Sequence, residues 1–447
     1  MKNILFIIIA FISFQTGFSQ EAPKSFSLQE AIDYALENNR QAKNATRDIE
    51  AAKKQKWETT ASGLPQIDAS VNYQNFLEPQ LQGIPADFGN PNSPLIPLFF
   101  GAEQTTVASA RLSQLLFDGT YIVGLQASKV FLEISKNAKE KTDLEVRKAV
   151  INAYGNVLIS EESVVILEKN IAVIQKNLNE TISIYENGLE EEESVEQLQI
   201  TLTGLESNLN KSKRLKTIAI QMFNVTLSIP FNENTLLTDS LEDLTLQNIN
   251  LETLNKTFDA TETIDYKIAN NTMLSDELRV KAEKAKALPS LSASLSGGLN
   301  TFGDDFTVFN NNTQWFDYAV LGVNLSIPIF SSGLRNASTQ RAKINLEKSK
   351  AELEETEQQL NLQIATAKSN YQFATEDYYN KKQNLALAER IESKNQTKFF
   401  EGVSSSFELR QAQTQLYAAQ QDLLQAMLDV INTKIELETV TNNTTNF

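Results

Sequence analysis

The ten prolines of the chain lie at residues 23, 65, 79, 85, 91, 94, 97, 230, 289 and 328. None falls between Leu98 and Ile229, and none follows Pro328. Proline lacks a backbone donor and clashes with the preceding turn, so helix interiors exclude it. Two long tracts are therefore free to form uninterrupted helices, and both carry the pattern for it. From Val150 the alternating 3-4 spacing runs through Ala153, Val157, Ser160, Val164, Leu167, Ile171, Ile174, Leu178, Thr181 and Tyr185, apolar at all but the Ser and Thr positions. That is a coiled-coil-like seam. After "ENGLEEEES" (186–194) a second seam starts: Val195, Leu198, Leu202, Leu205, Leu209. The other tract repeats the design. Leu360, Ile364, Ala367, Tyr371, Ala374 and Tyr378 lead to "FFEGVSSS" (399–406), and Leu409, Ala412, Leu416, Ala419, Leu423, Ala426 and Val430 follow. Long helices are predicted over about 120–186 and 195–227, and over about 334–400 and 406–440. The longest would each reach roughly 100 Å at 1.5 Å per residue.

Ahead of each tract stands a different rhythm. "PQIDASVNYQ" (65–74) and "SLSASLSGG" (290–298) alternate apolar and polar residues, a β-strand period. Further strands are predicted at about 104–117 and 316–328, closing pairs that begin at about 66–78 and 290–300. The loops between them, 78–103 and 301–315, are rich in Pro, Gly, Asn and aromatic residues. Leu64-Pro65 matches Leu288-Pro289, "LLFDG" (115–119) matches "PIFSS" (328–332), and "YENGL" (185–189) matches "FFEGV" (399–403). The same landmarks in the same order indicate internal duplication. The first repeat spans 20–229, a less periodic segment over 230–262 links the halves, the second repeat spans 263–440, and 441–447 form a tail.

Composition narrows the function. The chain has no Cys and no His, which removes thiol nucleophiles, disulfides, imidazole acid/base chemistry and the usual zinc and copper ligands. Its formal charge of −16 disfavours nucleic acid. No catalytic constellation, metal set or cofactor motif stands out. "MKNILFIIIAFISFQTGFSQ" has Lys2, an apolar stretch from Ile4 to Phe14 and small residues at Gly17 and Ser19. It reads as a secretory signal peptide over 1–19, cleaved next to Gln20. Beyond it no apolar run is long enough for a spanning helix.

An exported chain can still cross a membrane through strands. Ile67, Ala69, Val71 and Tyr73 face one way and Asp68, Ser70, Asn72 and Gln74 the other; Leu321, Val323, Leu325 and Ile327 oppose Gly322, Asn324 and Ser326. Apolar outside and polar inside is the pattern of a lipid-embedded barrel with a wet interior, although a half-buried sheet in a soluble domain shares the period. Four strands cannot close a barrel, and eight leave an interior filled by side chains. Twelve strands from three copies would leave a passage, so the expectation is a homotrimer. The fold class that follows is mainly α with a small β part. In it a trimeric twelve-strand β-barrel continues into a tube of coiled helices.

These motifs resemble the TolC-type outer-membrane efflux proteins. The carrying stretches are "LPQIDASV" and "LPSLSASLS" at strand entry, and "LFDGT" and "SIPIFSSG" at strand exit. At the helix turns they are "YENGL…SVEQL" and "FFEGVSSSFELRQAQTQL", and "SLQEAIDYALENN" (27–39) looks like the family's opening helix. The resemblance implies a trimer in outer-membrane lipid, a periplasmic α-barrel, and docking with a periplasmic adaptor (membrane fusion) protein and an inner-membrane pump. It implies an exit duct for efflux or type I secretion. Counted from Gly402, the family's constricting acidic residues fall on Glu408, which keeps the acid, and Gln411, which does not. The basic residue that the family can carry two after that glycine is Ser404 here. Closure of the aperture is expected from Glu408 with Gln411 and Arg410. An acidic mouth is expected at Glu190, Glu191, Glu192 and Glu193, the alternative being a solvated loop. Gly188 and Gly402 are expected at the turns that meet the adaptor. A second reading, a secreted coiled-coil structural or adhesive protein, would use the same seams but has no need of matched strands.

Overall fold

The computed structural model describes residues 25–444, apart from 79–80, 88, 91, 251, 307 and 311. The predicted signal peptide and residues 445–447 of the tail lie outside the described residues. In chain order the elements are β1 (Ser25–Phe26), α1 (Leu28–Asn38), α2 (Arg40–Ala61), β2 (Gln66–Asn75), β3 (Gln82–Pro85), β4 (Leu95–Leu98), β5 (Gln104–Phe117), α3 (Gly119–Glu186) and α4 (Glu192–Leu227). They continue with β6 (Leu236–Leu237), α5 (Leu241–Asn248), α6 (Glu252–Asn255), α7 (Ile264–Ala285), β7 (Ser290–Gly303), β8 (Phe316–Ser326), α8 (Leu334–Phe400) and α9 (Ser406–Thr441). No helix among the described residues is long and apolar enough to cross a membrane.

The chain forms two compact units, and these divide it differently from the sequence repeats. One comprises residues up to Arg47, Asn137–Lys267 and Glu355 onward; the other comprises Asp48–Lys136 and Ile268–Glu354. Each takes part of both repeats.

The first unit is helical, and the seams make its core. Val150, Tyr154 and Val157 of α3 are buried with Tyr371, Ala374 and Tyr378 of α8 and Val430, Ile431 and Ile435 of α9. Further along, Leu167, Ile174 and Leu178 of α3 pack with Leu198, Leu202 and Leu205 of α4. Each such side chain contributes about 1.5–3 kcal/mol on burial. The 230–262 segment is part of this core rather than a spacer. Leu241 and Leu244 of α5 are buried in it, and β6 pairs in parallel with β1. Tyr154 Oη donates to the Phe26 carbonyl and the Asp239 carboxylate, and Tyr371 Oη donates to the Asn248 carbonyl at 2.6 Å. Arg147 of α3 pairs with Glu438 of α9, which also meets Lys434; all three are buried, and the pairing offsets part of the cost of removing charge from water.

The second unit holds one antiparallel sheet in the order β2-β5-β7-β8. It consists of the strand pair of each repeat, joined by β5 against β7. β2 stops at Asn75, β7 continues to Gly303, and β8 stops at Ser326, two residues before Pro328. The segment after β2, expected as a loop over 78–103, contains a small hairpin. β3 pairs with β4, with Pro85 opposite Leu95 and Pro97 opposite Gly83. Proline is tolerated in such a two-stranded piece because a strand edge needs no donor there.

Candidate functional site

Two parts of the molecule carry the functional expectation: the faces of the sheet and the ends of the long helices.

Ladder register sorts the sheet residues by face. In one row Ile67, Leu112, Leu295 and Leu321 stand side by side; in the next of the same face stand Ala69, Ala110, Gly297 and Ala319. The opposite face carries Asp68 beside Arg111 and Ser296, and Ser70 beside Ser109, Gly298 and Tyr318. Ile67, Val71, Leu321, Val323 and Leu325 are exposed, so among the described residues nothing covers this part of the apolar face. β2 and β8 are the two edges, and the sheet does not close on itself among the described residues. At Gly298 the strands approach closely. A Cβ there would lie 2.3 Å from the Ala108 carbonyl oxygen and 3.0 Å from the Tyr318 ring.

At the helix ends the two repeats build the same turn. Gly188 has φ +73° and Gly402 φ +72°. The Gly188 amide donates to the Tyr185 carbonyl and that of Leu189 to Ile184; the Gly402 amide donates to Phe399 and that of Val403 to Lys398. This is the paired bonding of a left-handed helix exit, which satisfies carbonyls that the helix leaves open. The apolar residue after each glycine points into solvent, Leu189 at 79% exposure and Val403 at 73%.

Glu408 sits three residues into the return. Ser405 caps α9: its side chain accepts from the Glu408 amide, and the Glu408 carboxylate accepts from the Ser405 amide. Ser404 also donates to that carboxylate. These donors, Ser404 first, hold the Glu408 carboxyl below its ordinary range. Glu408 is thus a charged, exposed helix-capping group in the single chain. Arg410 lies 5.4 Å over the exposed Phe407 ring, and Gln411 is exposed. In the first turn Glu191 precedes α4, and Glu192 and Glu193 occupy its first turn, where acids offset the helix dipole. Glu190 accepts from Ser194 Oγ at 2.6 Å and Glu193 from Gln197 Nε2 at 2.7 Å. Gly188 thus adjoins the acidic run and Gly402 adjoins Glu408, one turn in each repeat.

One polar layer was not evident from the seams. Glu392 of α8 lies beside the buried Gln413 of α9, and burial pushes the Glu392 carboxyl up. Burial also raises the Tyr417 hydroxyl, with the nearby Glu392 charge adding to it. Gln396 donates to the fully buried Asn177 at 3.0 Å, and Asn170 to Gln420 at 2.8 Å. The 3-4 spacing of α8, continued past Tyr378, reaches Glu392. A charged residue at a seam position was the available signal.

A helical unit with duplicated hairpin turns and a four-stranded sheet with one apolar and one polar face define the fold. It is shared with the Campylobacter jejuni CmeC outer membrane channel (TM-score 0.73, 18% identity, 93% of this chain and 85% of that one). It is shared also with CusC (TM-score 0.74, 19% identity, 95% of each chain) and with VceC of Vibrio cholerae (TM-score 0.71, 15% identity, 93% and 95%). Within the chain, residues 276–443 match the family model described as outer membrane efflux protein, which bears out the resemblance read from the motifs. Two proteins of Pseudomonas putida, the solvent efflux pump outer membrane protein SrpC and the toluene efflux pump outer membrane protein TtgI, are each 26% identical over 179 residues. That stretch is 39% of this chain and 36% of each relative, so the chain matches about a third of the curated relatives' length.

Proposed function

We propose that the protein is the outer-membrane exit duct of a tripartite efflux system. It would conduct substrates passively from an adaptor and inner-membrane pump through the periplasm and outer membrane. The observation that carries this is the sheet. Its bare apolar face suits lipid, its polar face suits a wet lumen, and its two open edges suit pairing of β2 with β8 of a neighbouring copy. Twelve strands from three copies make the smallest barrel with a passage. In that assembly the exposed tip turns at Gly188 and Gly402 meet the adaptor. The three Glu408 carboxylates ring the periplasmic aperture, Gln411 and Arg410 close it, and Glu190–Glu193 make its mouth acidic.

Mass measurement of the detergent-extracted protein tests the assembly, and planar-bilayer recording tests the pore. A trimer recovered from outer membranes, with discrete conductance, is expected. A stable monomer, or recovery in the soluble periplasm, refutes the duct and favours a structural coiled-coil protein.

A further inference from the structure

The loop between β7 and β8 does not extend the sheet; it folds back over one face. The Tyr73 and Phe306 rings meet edge-on at 5.1 Å between centroids, and Phe306 meets Phe309 at 5.9 Å. Tyr73 Oη donates to Gln104 Oε1 at 3.0 Å, and Gln104 Nε2 donates to the Asp304 carbonyl at 3.2 Å. The space closed under the loop is lined by Tyr73, Gln104, Thr106, Thr301, Asp305 and Val308. Thr106 and Thr301 are 4% and 5% exposed in a sheet that is otherwise open. Register identifies the covered face. Thr106 stands opposite both Tyr73 and Thr301, two residues on from Ala108, Val71 and Leu299. The loop therefore lies on the apolar face, not the polar one.

Length fixes where on that face it lies. Apolar residues of β7 pointing this way run from Leu291 to Leu299, opposite Leu325 and Asp317. A tilted strand needs about 9–11 residues to cross a bilayer, and that run supplies about nine. The polar residues Thr301, Thr106 and Gln104 follow at once, and these the loop shields. Phe309, 88% exposed, stands on the loop with the exposed Asp304 and Asp305. Aromatic side chains with polar neighbours suit the boundary between acyl chains and headgroups.

We propose that residues 303–306, 308 and 309 form a lipid-interface anchor. The folded-back loop seats Phe309 at the headgroup boundary on the outer rim of the barrel, covering the polar residues that end the lipid-facing band. The proposal rests on the duct reading, which makes the apolar face the lipid face. The occupant is lipid because the loop lies on the same face as the exposed apolar band of Ile67, Val71 and Leu321, directly beyond its last apolar row.

The test uses the full chain with Trp57→Phe and Trp315→Phe, reconstituted in phosphatidylcholine vesicles whose acyl chains are brominated at shallow or deep positions. Single tryptophans are then placed by Phe309→Trp, Leu295→Trp and Asn72→Trp; Leu295 lies midway along the Leu291–Leu299 run on the apolar face. Tryptophan at 295 is expected to be quenched by deep bromines, at 309 by shallow bromines alone, and at 72 by neither. Adding Phe306→Ala, which removes the ring held on Tyr73, should at least halve quenching at 309 and leave 295 unchanged. Absence of quenching at 309 while 295 is quenched overturns the anchor and leaves the duct reading intact. A blue-shifted, unquenched emission at 309 overturns it in favour of contact with a second copy. Absence of quenching at 295 removes the duct reading and the anchor together.

Discussion

Replacing Gly402 with Ala isolates backbone conformation from packing at the proposed docking tip. A Cβ there meets nothing within 4 Å, so no steric clash enters. The backbone stands at φ +72°, where an L-residue costs about 1–2 kcal/mol relative to glycine. Alanine recovers about 0.4–1 kcal/mol by restricting the unfolded chain. The net is about 1 kcal/mol, or about fivefold in the opening equilibrium of the turn. Hydrogen exchange reads it at the amides of residues 402 and 403, which bond to the Phe399 and Lys398 carbonyls. Protection there should fall about fivefold, less with Gly402→Asn, because Asn tolerates this region. Gly188→Ala should match it, since Gly188 has the same φ and the same open surroundings. Loss of protection spreading along α8 and α9, or a fall beyond about a hundredfold, would show that the open surroundings are wrong. With Val at either site, pump-dependent export should fall more than membrane insertion; equal loss of both would assign the glycines to folding.

Gly298→Val should block insertion, because its Cβ would press on the backbone at Ala108, which cannot move aside; normal trimer yield would refute the close approach. Tyr371→Phe leaves the Asn248 carbonyl and the Asn250 amide without their partner and should cost about 1–3 kcal/mol in denaturant unfolding of the helical unit. Glu408→Gln should reduce cation selectivity in planar bilayers, most at low salt; an unchanged selectivity that instead disappears on neutralising Glu190–Glu193 would move the ring to the first turn. The carboxyls of Glu408 and Glu392 have opposite linkage. The Glu408 carboxyl is lowered from 4.5, so its capping contribution is complete above that value and is lost as pH falls through the depressed one. The Glu392 carboxyl is raised from 4.5, so stability falls as pH climbs through its elevated value, and Glu392→Gln should remove that fall in unfolding measured across pH.

The long helices were legible because proline absence and a 3-4 seam are local properties that survive in any packing. Ile174, Leu198 and Tyr371 are buried where the spacing puts them. The strands were legible in their alternation, but their ends were not. β7 runs on to Gly303 because its partner β5 begins at Gln104, a pairing that no local pattern encodes. The β3–β4 hairpin was hidden by Pro85 and Pro97, which read as breakers. At the tips the glycines were readable from their place after a seam, whereas the bonding of Glu408 was not. Its carboxylate turns back to Ser404 and Ser405, and that choice depends on the cap geometry of α9. The Glu392 layer was missed because a seam read for apolar residues passes over its polar exception.

The unpaired edges of the sheet have a genetic consequence. In the proposed trimer a protomer whose β8 cannot pair fails at its own seam and also leaves the β2 edge of its neighbour exposed. If defective and normal chains are made in equal amounts and mix freely, about one ring in eight contains only normal copies. Lesions confined to β2 or β8 should therefore behave as dominant alleles. A chain that never leaves the cytoplasm, and so never enters a ring, should be recessive.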